Sequence, residues 1–438
     1  MEHIRKSPAP FPALVLAWVL AGAVLGAERA PAESVTGSPR TEPLGLVVRL
    51  ADAPEPLSVE TFSQAALIFS GTPEEDLQRI GGQLDRLVEE AQQRLGGLAD
   101  PREEAEGILS YLHDRVLLRY DERQTRLDVL LENGSYNCVS SGVLYALVAK
   151  SLGFEVWGVR TEDHAFCRIK AGTRAYDVET TSPFGFDPGT RKEFKDSFGA
   201  VTGFTYVPPS SYGKRNDIGE RALLALILYN RTAFSSDRRI YPEAVPPAID
   251  AHALLGDRES YDRMIVSFLN LGSWYGLKRD YSSGVDFIQR MADRFPEPRL
   301  SSLLEDLLHN WFLSLVEQRE FSAAETLLDT HRSRGLLADV EWKSLTIYLY
   351  QIKAQDAARS DYAAAAGIIE QGLRKTGPDG TLHRSYEVYV HNRVVSLIRA
   401  GRLEDALGLI DDALAITPHS ALLDKDRTLV TDQMSTRR

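Results

Sequence analysis

The sequence predicts an α+β domain followed by an all-α solenoid of helical-hairpin repeats. Two observations carry this expectation. Between residues 133 and 182 one apolar-periodic helix pattern gives way to short β-like runs separated by turns, an order expected of α+β structure. From residue 218 onward the pattern is helical throughout and repeats every 40–41 residues, as in a solenoid.

The first 27 residues bear on compartment. His3, Arg5 and Lys6 make a positive start, and 13–27 is an uncharged stretch of the length of a secretory h-region, short for a bilayer span. Ala21-Gly22-Ala23 and Leu25-Gly26-Ala27 offer small-residue cleavage sites, and no Cys follows them for a lipid anchor. Residues 1–27 are therefore read as a signal peptide and the protein as periplasmic or secreted, with a membrane involved only if this segment stays uncleaved. Residues 28–56, opening with Pro, Ser, Gly and charge, are read as a linker.

From residue 57 helices dominate. Leu77, Ile80, Leu84, Leu87 and Leu95 keep three- and four-residue spacing after Pro73, and Ile108, Leu109, Leu112 and Val116 do so after Pro101. Asn133-Gly134-Ser135 is a turn signal. Val139, Val143, Leu147 and Leu152 then mark a helix closed by Gly153, and the runs 154–159, 165–169 and 175–178 read as strands. The domain is bounded at 57–212 and the solenoid at 213–438.

Three columns define the repeat. Tyr241, Tyr281, Phe321, Tyr362 and Leu403 are spaced 40, 40, 41 and 41 apart. Three residues after each lies a small one, namely Ala244, Gly284, Ala324, Ala365 and Ala406. Eleven before each lies an amide, namely Asn230, Asn270, Asn310, Gln351 and Asn392. The expectation is a helix pair per unit, about five units, with the small residue allowing close approach and the aromatic filling the gap beneath.

Composition narrows the function. Asp and Glu number 62 against 50 Lys and Arg, a formal net charge of −12, which argues against a nucleic-acid partner because phosphate binding needs a basic surface. Two cysteines exclude a disulfide scaffold and a Cys-rich metal site. No histidine pairs with Cys or another His at ligand spacing, so no metal and no cofactor is expected.

Cys138 is the strongest candidate for a reactive residue. It follows the 133–137 turn and opens the apolar helix, where the dipole and free backbone N–H groups favour the nucleophilic thiolate. His164 follows 26 residues later, Asp177 another 13, and Glu179 two more. A thiol, an imidazole and a carboxylate are the set needed for acyl transfer: attack, proton handling and fixing of the tautomer. Cys167 offers a competing reading, a structural bridge to Cys138, but a regular strand turns it away from His164, and it is read as a core residue. Tyr136 and Trp157 are candidates to line an acyl pocket.

Asn137-Cys138-Val139-Ser140-Ser141, Asp163-His164-Ala165-Phe166 and Tyr176-Asp177-Val178-Glu179-Thr180 together resemble the core of the transglutaminase-like superfamily, over about residues 75–185. The lead-in with Tyr111 and Arg119-Tyr120 fits as well. The resemblance implies a papain-like arrangement with Cys138 as nucleophile, His164 as base and acid, and Asp177 as orienting group. Two features depart from the family: a short interval between Cys and His, and Asp177-Val178-Glu179-Thr180 where an Asp-Pro-Thr-like run is usual. Asp177 and Glu179 alternate onto the same strand face; Asp177 is preferred and Glu179 stays open. The helical units resemble tetratricopeptide repeats, apart from a period longer than 34.

Two functions follow. One is an exported cysteine enzyme of peptidase or amidase type, or an acyltransferase, acting on a protein or peptide through an acyl-enzyme on Cys138 while the repeats hold a protein partner. The alternative is a non-catalytic envelope scaffold working through its repeats.

Overall fold

The computed structural model describes residues 38–161, 164–189, 192–203 and 215–437. The segment read as a signal peptide, residues 28–37 of the linker and Asp163 of the histidine motif lie outside the described residues.

The chain opens with α1 (Gly45–Ala51), α2 (Val59–Ser70), α3 (Glu74–Leu95) and α4 (Pro101–Arg115). The apolar spacing read in the sequence buries Ile80, Leu84 and Leu87 of α3 and Ile108, Leu109 and Leu112 of α4. Asp100 caps α4 by accepting from the Arg102 N–H, with Pro101 in the first turn. Within the expected linker, α1 forms and buries Val47 and Leu50.

Next come β1 (Arg119–Tyr120), α5 (Leu127–Asn133), β2 (Ser135–Tyr136) and α6 (Cys138–Ser151). Then follow β3 (Glu155–Arg160), β4 (Ala165–Ala171), β5 (Arg174–Val178), α7 (Lys192–Thr202) and β6 (Asn216–Ile218). β1 and β2 pair in parallel over two residues each, and the four-stranded sheet runs β5-β4-β3-β6 with every neighbour antiparallel.

β3, β4 and β5 fall close to the expected runs, β1, β2 and β6 were not expected, and the α+β class and the transglutaminase-like domain do not hold. Among the described residues there are 18 helices and only small sheets, and 71% of those residues are helical. The reason lies in α6. From Val139 to Ala149 every residue is buried, so the helix is apolar all round and must be covered on all sides. The sheet covers part of it through β3 and β4, and helices α2, α3 and α4 cover more. One core then runs from Val47 through α6 to Leu254, and the strands sit inside a helical body.

The remainder is hairpins: α8 (Glu220–Asp237) with α9 (Tyr241–Leu255), α10 (Arg258–Leu277) with α11 (Tyr281–Arg294), α12 (Pro298–Glu317) with α13 (Phe321–Ser333), α14 (Asp339–Ala357) with α15 (Tyr362–Thr376), and α16 (Gly380–Arg399) with α17 (Leu403–Ile416), closed by α18 (Ala421–Arg437). The aromatic column marks the first residue of every second helix; Tyr241, Tyr281 and Phe321 pack against the core, Leu403 is buried, and only Tyr362 of the five is exposed, at 37%. Ala244, Ala324, Ala365 and Ala406 are wholly buried, and a Cβ on Gly284 would stand 3.1 Å from that of Tyr275. Close approach of the paired helices explains why this column stays small. In three hairpins the turn before the second helix is made by an arginine with positive φ, Arg239, Arg279 and Arg319, and in the last by Gly401.

Candidate functional site

Asn137 sets the site. Its side chain accepts from the Val139 and Ser140 N–H groups, and Ser140 Oγ accepts from the Asn137 N–H, a reciprocal box that fixes where α6 begins. The Asn137 amide also donates to the Glu122 carbonyl at 3.0 Å, which ties the cap to the preceding loop. Cys138 is thereby held as the first residue of the helix, half-buried and free of any disulfide. Its own N–H is not taken by the cap.

His164 lies immediately before β4, near enough to Cys138 for the sulfur to act on the ring. On its other side, Nε2 stands 2.6 Å from Glu179 Oε2, with the two side chains 14% and 4% exposed. Glu179 Oε1 accepts from the Thr181 hydroxyl at 2.8 Å and from the Thr181 N–H at 3.3 Å. Phe198 of α7 meets the imidazole edge-on, with ring centres 6.0 Å apart. Burial disfavours the charged ring, but the Glu179 carboxylate and the Cys138 sulfur outweigh it and hold the His164 pKa well above its ordinary value.

Asp177 does not join this set. The β4–β5 register places it opposite Arg168, and Arg215 closes over it with both guanidinium nitrogens, one at 2.7 Å. Glu179, two residues further along, is the carboxylate that reaches His164. Glu179 rather than Asp177 is therefore the carboxylate beside His164, and Asp177 ties β5 to β4 and to the approach of β6.

Cys167 is wholly buried on β4, donates from Sγ to the Gly142 carbonyl at 3.2 Å and is free. Burial pushes its pKa far up, so it stays a neutral thiol of the core. Tyr136 is also a core residue: its hydroxyl donates to the Thr181 carbonyl at 3.1 Å, and burial followed by the Glu179 charge pushes its pKa up to about 12. Trp157 lies on β3 opposite Arg168. His113 stands edge-on to Tyr136 and 3.1 Å from the Thr180 carbonyl, and burial lowers its pKa to about 4. Among the described residues no cluster of three or more His, Cys, Asp or Glu could hold a metal ion.

Thr181 and Gly185 escaped the sequence reading, and Thr180 entered it only as the end of a motif. Thr181 anchors Glu179, and Thr180 Oγ1 lies 2.8 Å from Ser141 Oγ, which joins that segment to the first turn of α6. Gly185 closes the turn after Glu179, and a Cβ there would fall 1.8 Å from the Glu179 carbonyl oxygen. The run Glu179-Thr180-Thr181 was the only signal for any of them.

The chain matches no protein-family model and no curated protein. Among solved structures, one match is menin, described as revealing the binding site for Mixed Lineage Leukemia (MLL) protein. Sequence identity is 13%, coverage is 91% of this chain and 98% of that one, and the TM-score is 0.35. A likeness at that score decides nothing about function. The transglutaminase-like and tetratricopeptide resemblances are not family membership, and the cysteine-peptidase class that the first implied falls with it. The chain is a helical, repeat-rich protein.

Proposed function

We propose that the chain is a non-catalytic scaffold that binds a protein partner along its helical repeats, and that it works outside the cytoplasm after export directed by residues 1–27. The observation that carries the reading is the unequal packing of the hairpins. First helices pack against the next first helix, α8 on α10, α10 on α12, α14 on α16 and α16 on α18, whereas no second helix packs comparably on the next second helix. That asymmetry puts the first helices on the inner side of the array. Val266 and Leu277 of α10 and Val388 of α16 are 45%, 79% and 48% exposed on them, and stacked repeats commonly use such a surface for binding. Photo-crosslinking residues at Val266 and Val388 should trap one discrete partner in cells, while the same residue at Asp293, on the second helix α11, should not. Equal trapping at all three positions would refute the reading.

A further inference from the structure

The amide column recurs at one position of each first helix, and neither close packing nor helix propensity explains it. Asn230 is spent inside the protein, donating to Thr125 Oγ1 at 3.2 Å. Asn270, Asn310, Gln351 and Asn392 differ from it: none makes a side-chain hydrogen bond among the described residues, and all four are at least partly exposed. On α10, Asn270 lies one turn after the exposed Val266, and on α16, Asn392 lies one turn after the exposed Val388. On α12 the equivalent neighbour of Asn310 is Asp306, exposed and without an ion pair. α12 and α14 meet through the rings of Phe312 and Tyr348, 6.2 Å apart edge to face, and beyond that contact a cleft of about 220 Å³ lined by Val316, Glu317, Ile352 and Gln355 lies between them.

We infer that these four amides form a line that reads the backbone of an extended segment of a partner protein. This rests on the scaffold reading and names the chemistry of its partner. A carboxamide carries a donor and an acceptor side by side, which matches the N–H and C=O that an extended residue leaves free. A helical ligand has already spent those groups on itself. Packed helices stand roughly 8–10 Å apart, and three residues of extended chain rise about 10 Å, so adjacent rungs meet every third residue. Val266 and Val388 take aliphatic side chains near the two ends of the segment. Asp306 takes a lysine or arginine three residues in from the Val266 end.

The test uses the full chain and a displayed library of random dodecapeptides. Enriched peptides should carry Lys or Arg three residues from an aliphatic residue. A resynthesised binder should lose at least about tenfold in affinity in the variant Asn270→Ala, Asn310→Ala, Gln351→Ala, Asn392→Ala, with its thermal unfolding unchanged. N-methylation of single backbone amides in the peptide should weaken binding to the wild-type chain at every third residue, and this arm stands even if the variant misfolds. Binders indifferent to both changes would overturn the amide line and leave the scaffold reading intact. If no peptide enriches on the wild-type chain, the amide line and repeat binding fall together.

Discussion

The imidazole of His164 is held by Glu179 at 2.6 Å, while Asp177, two residues earlier on the same chain, is closed between Arg168 and Arg215. The two carboxylates therefore have separable roles. Glu179→Gln removes the carboxylate charge that raises the His164 pKa and should slow Cys138 alkylation by iodoacetamide about tenfold near pH 6.5. Asp177→Asn should leave that rate within about twofold and cost roughly 1–3 kcal/mol of stability, because two guanidiniums lose their carboxylate. Alkylation rates and urea midpoints of both variants check this. An Asp177→Asn chain that alkylates as slowly as Glu179→Gln would return the orienting role to Asp177.

His113 makes the fold acid-sensitive. Its folded pKa of about 4 lies below the ordinary 6.5 because burial disfavours the charged ring. The folded state thus binds the proton less readily than the unfolded chain. The stabilising contribution is fully present above pH 6.5 and is lost as pH falls from there to about 4, with a limit of about 3 kcal/mol. His113→Gln keeps a donor toward the Thr180 carbonyl without titrating. Urea midpoints measured between pH 7 and pH 4 should fall less steeply in His113→Gln than in the wild type. Parallel curves would show that His113 is not the sensitive group.

These relationships were unequally legible in the sequence. Cys138 and His164 could be read because a cap residue, a helix start and rare residue types announce themselves locally. The choice of Glu179 over Asp177 could not. It depends on the register that sets Arg168 against Asp177 and on Arg215, 38 residues further along the chain. β3, β4 and β5 were visible one by one, but the fold class was decided by what surrounds α6, and its covering helices come from both sides of it in sequence, α2, α3 and α4 before it and α8 after it. The hairpins were plain from the period, but that the aromatic column starts each second helix was not. Arg239, Arg279 and Arg319 share that period and went unnoticed, because arginine is not a residue that signals a turn.

Lys150 and Glu220 join the end of α6 to the start of α8. Their charged atoms are 2.5 Å apart with side chains 11% and 10% exposed, and Glu220 also accepts from the Leu57 N–H at 2.6 Å. Removing one partner of so enclosed a pair leaves a charge without compensation. Glu220→Gln should cost about 3 kcal/mol, and Lys150→Met combined with Glu220→Gln should recover most of it. A double-mutant cycle by chemical denaturation measures the coupling. Additive losses would mean that water already satisfies Lys150.

Arg279 occupies left-handed backbone, at φ 59°, in the turn between α10 and α11. Its N–H donates to the Gly276 carbonyl and that of Asp280 to Tyr275, each at 3.0 Å, so the turn itself demands this conformation. The side chain is exposed and makes no hydrogen bond or ion pair among the described residues. A Cβ in this region costs about 1–2 kcal/mol, which glycine avoids, although glycine gives part of this back through the greater freedom of the unfolded chain. Arg279→Gly should therefore stabilise the protein by about 0.5–1 kcal/mol. Gly401, which serves the last hairpin at φ 75°, supplies the converse: Gly401→Arg should destabilise by a similar amount. Arg319 is a poorer position for the test because it pairs with Asp356 at 2.8 Å. Urea midpoints moving in opposite directions for Arg279→Gly and Gly401→Arg would establish that the turn selects for its backbone. A loss in Arg279→Gly would mean that the arginine side chain supports the hairpin.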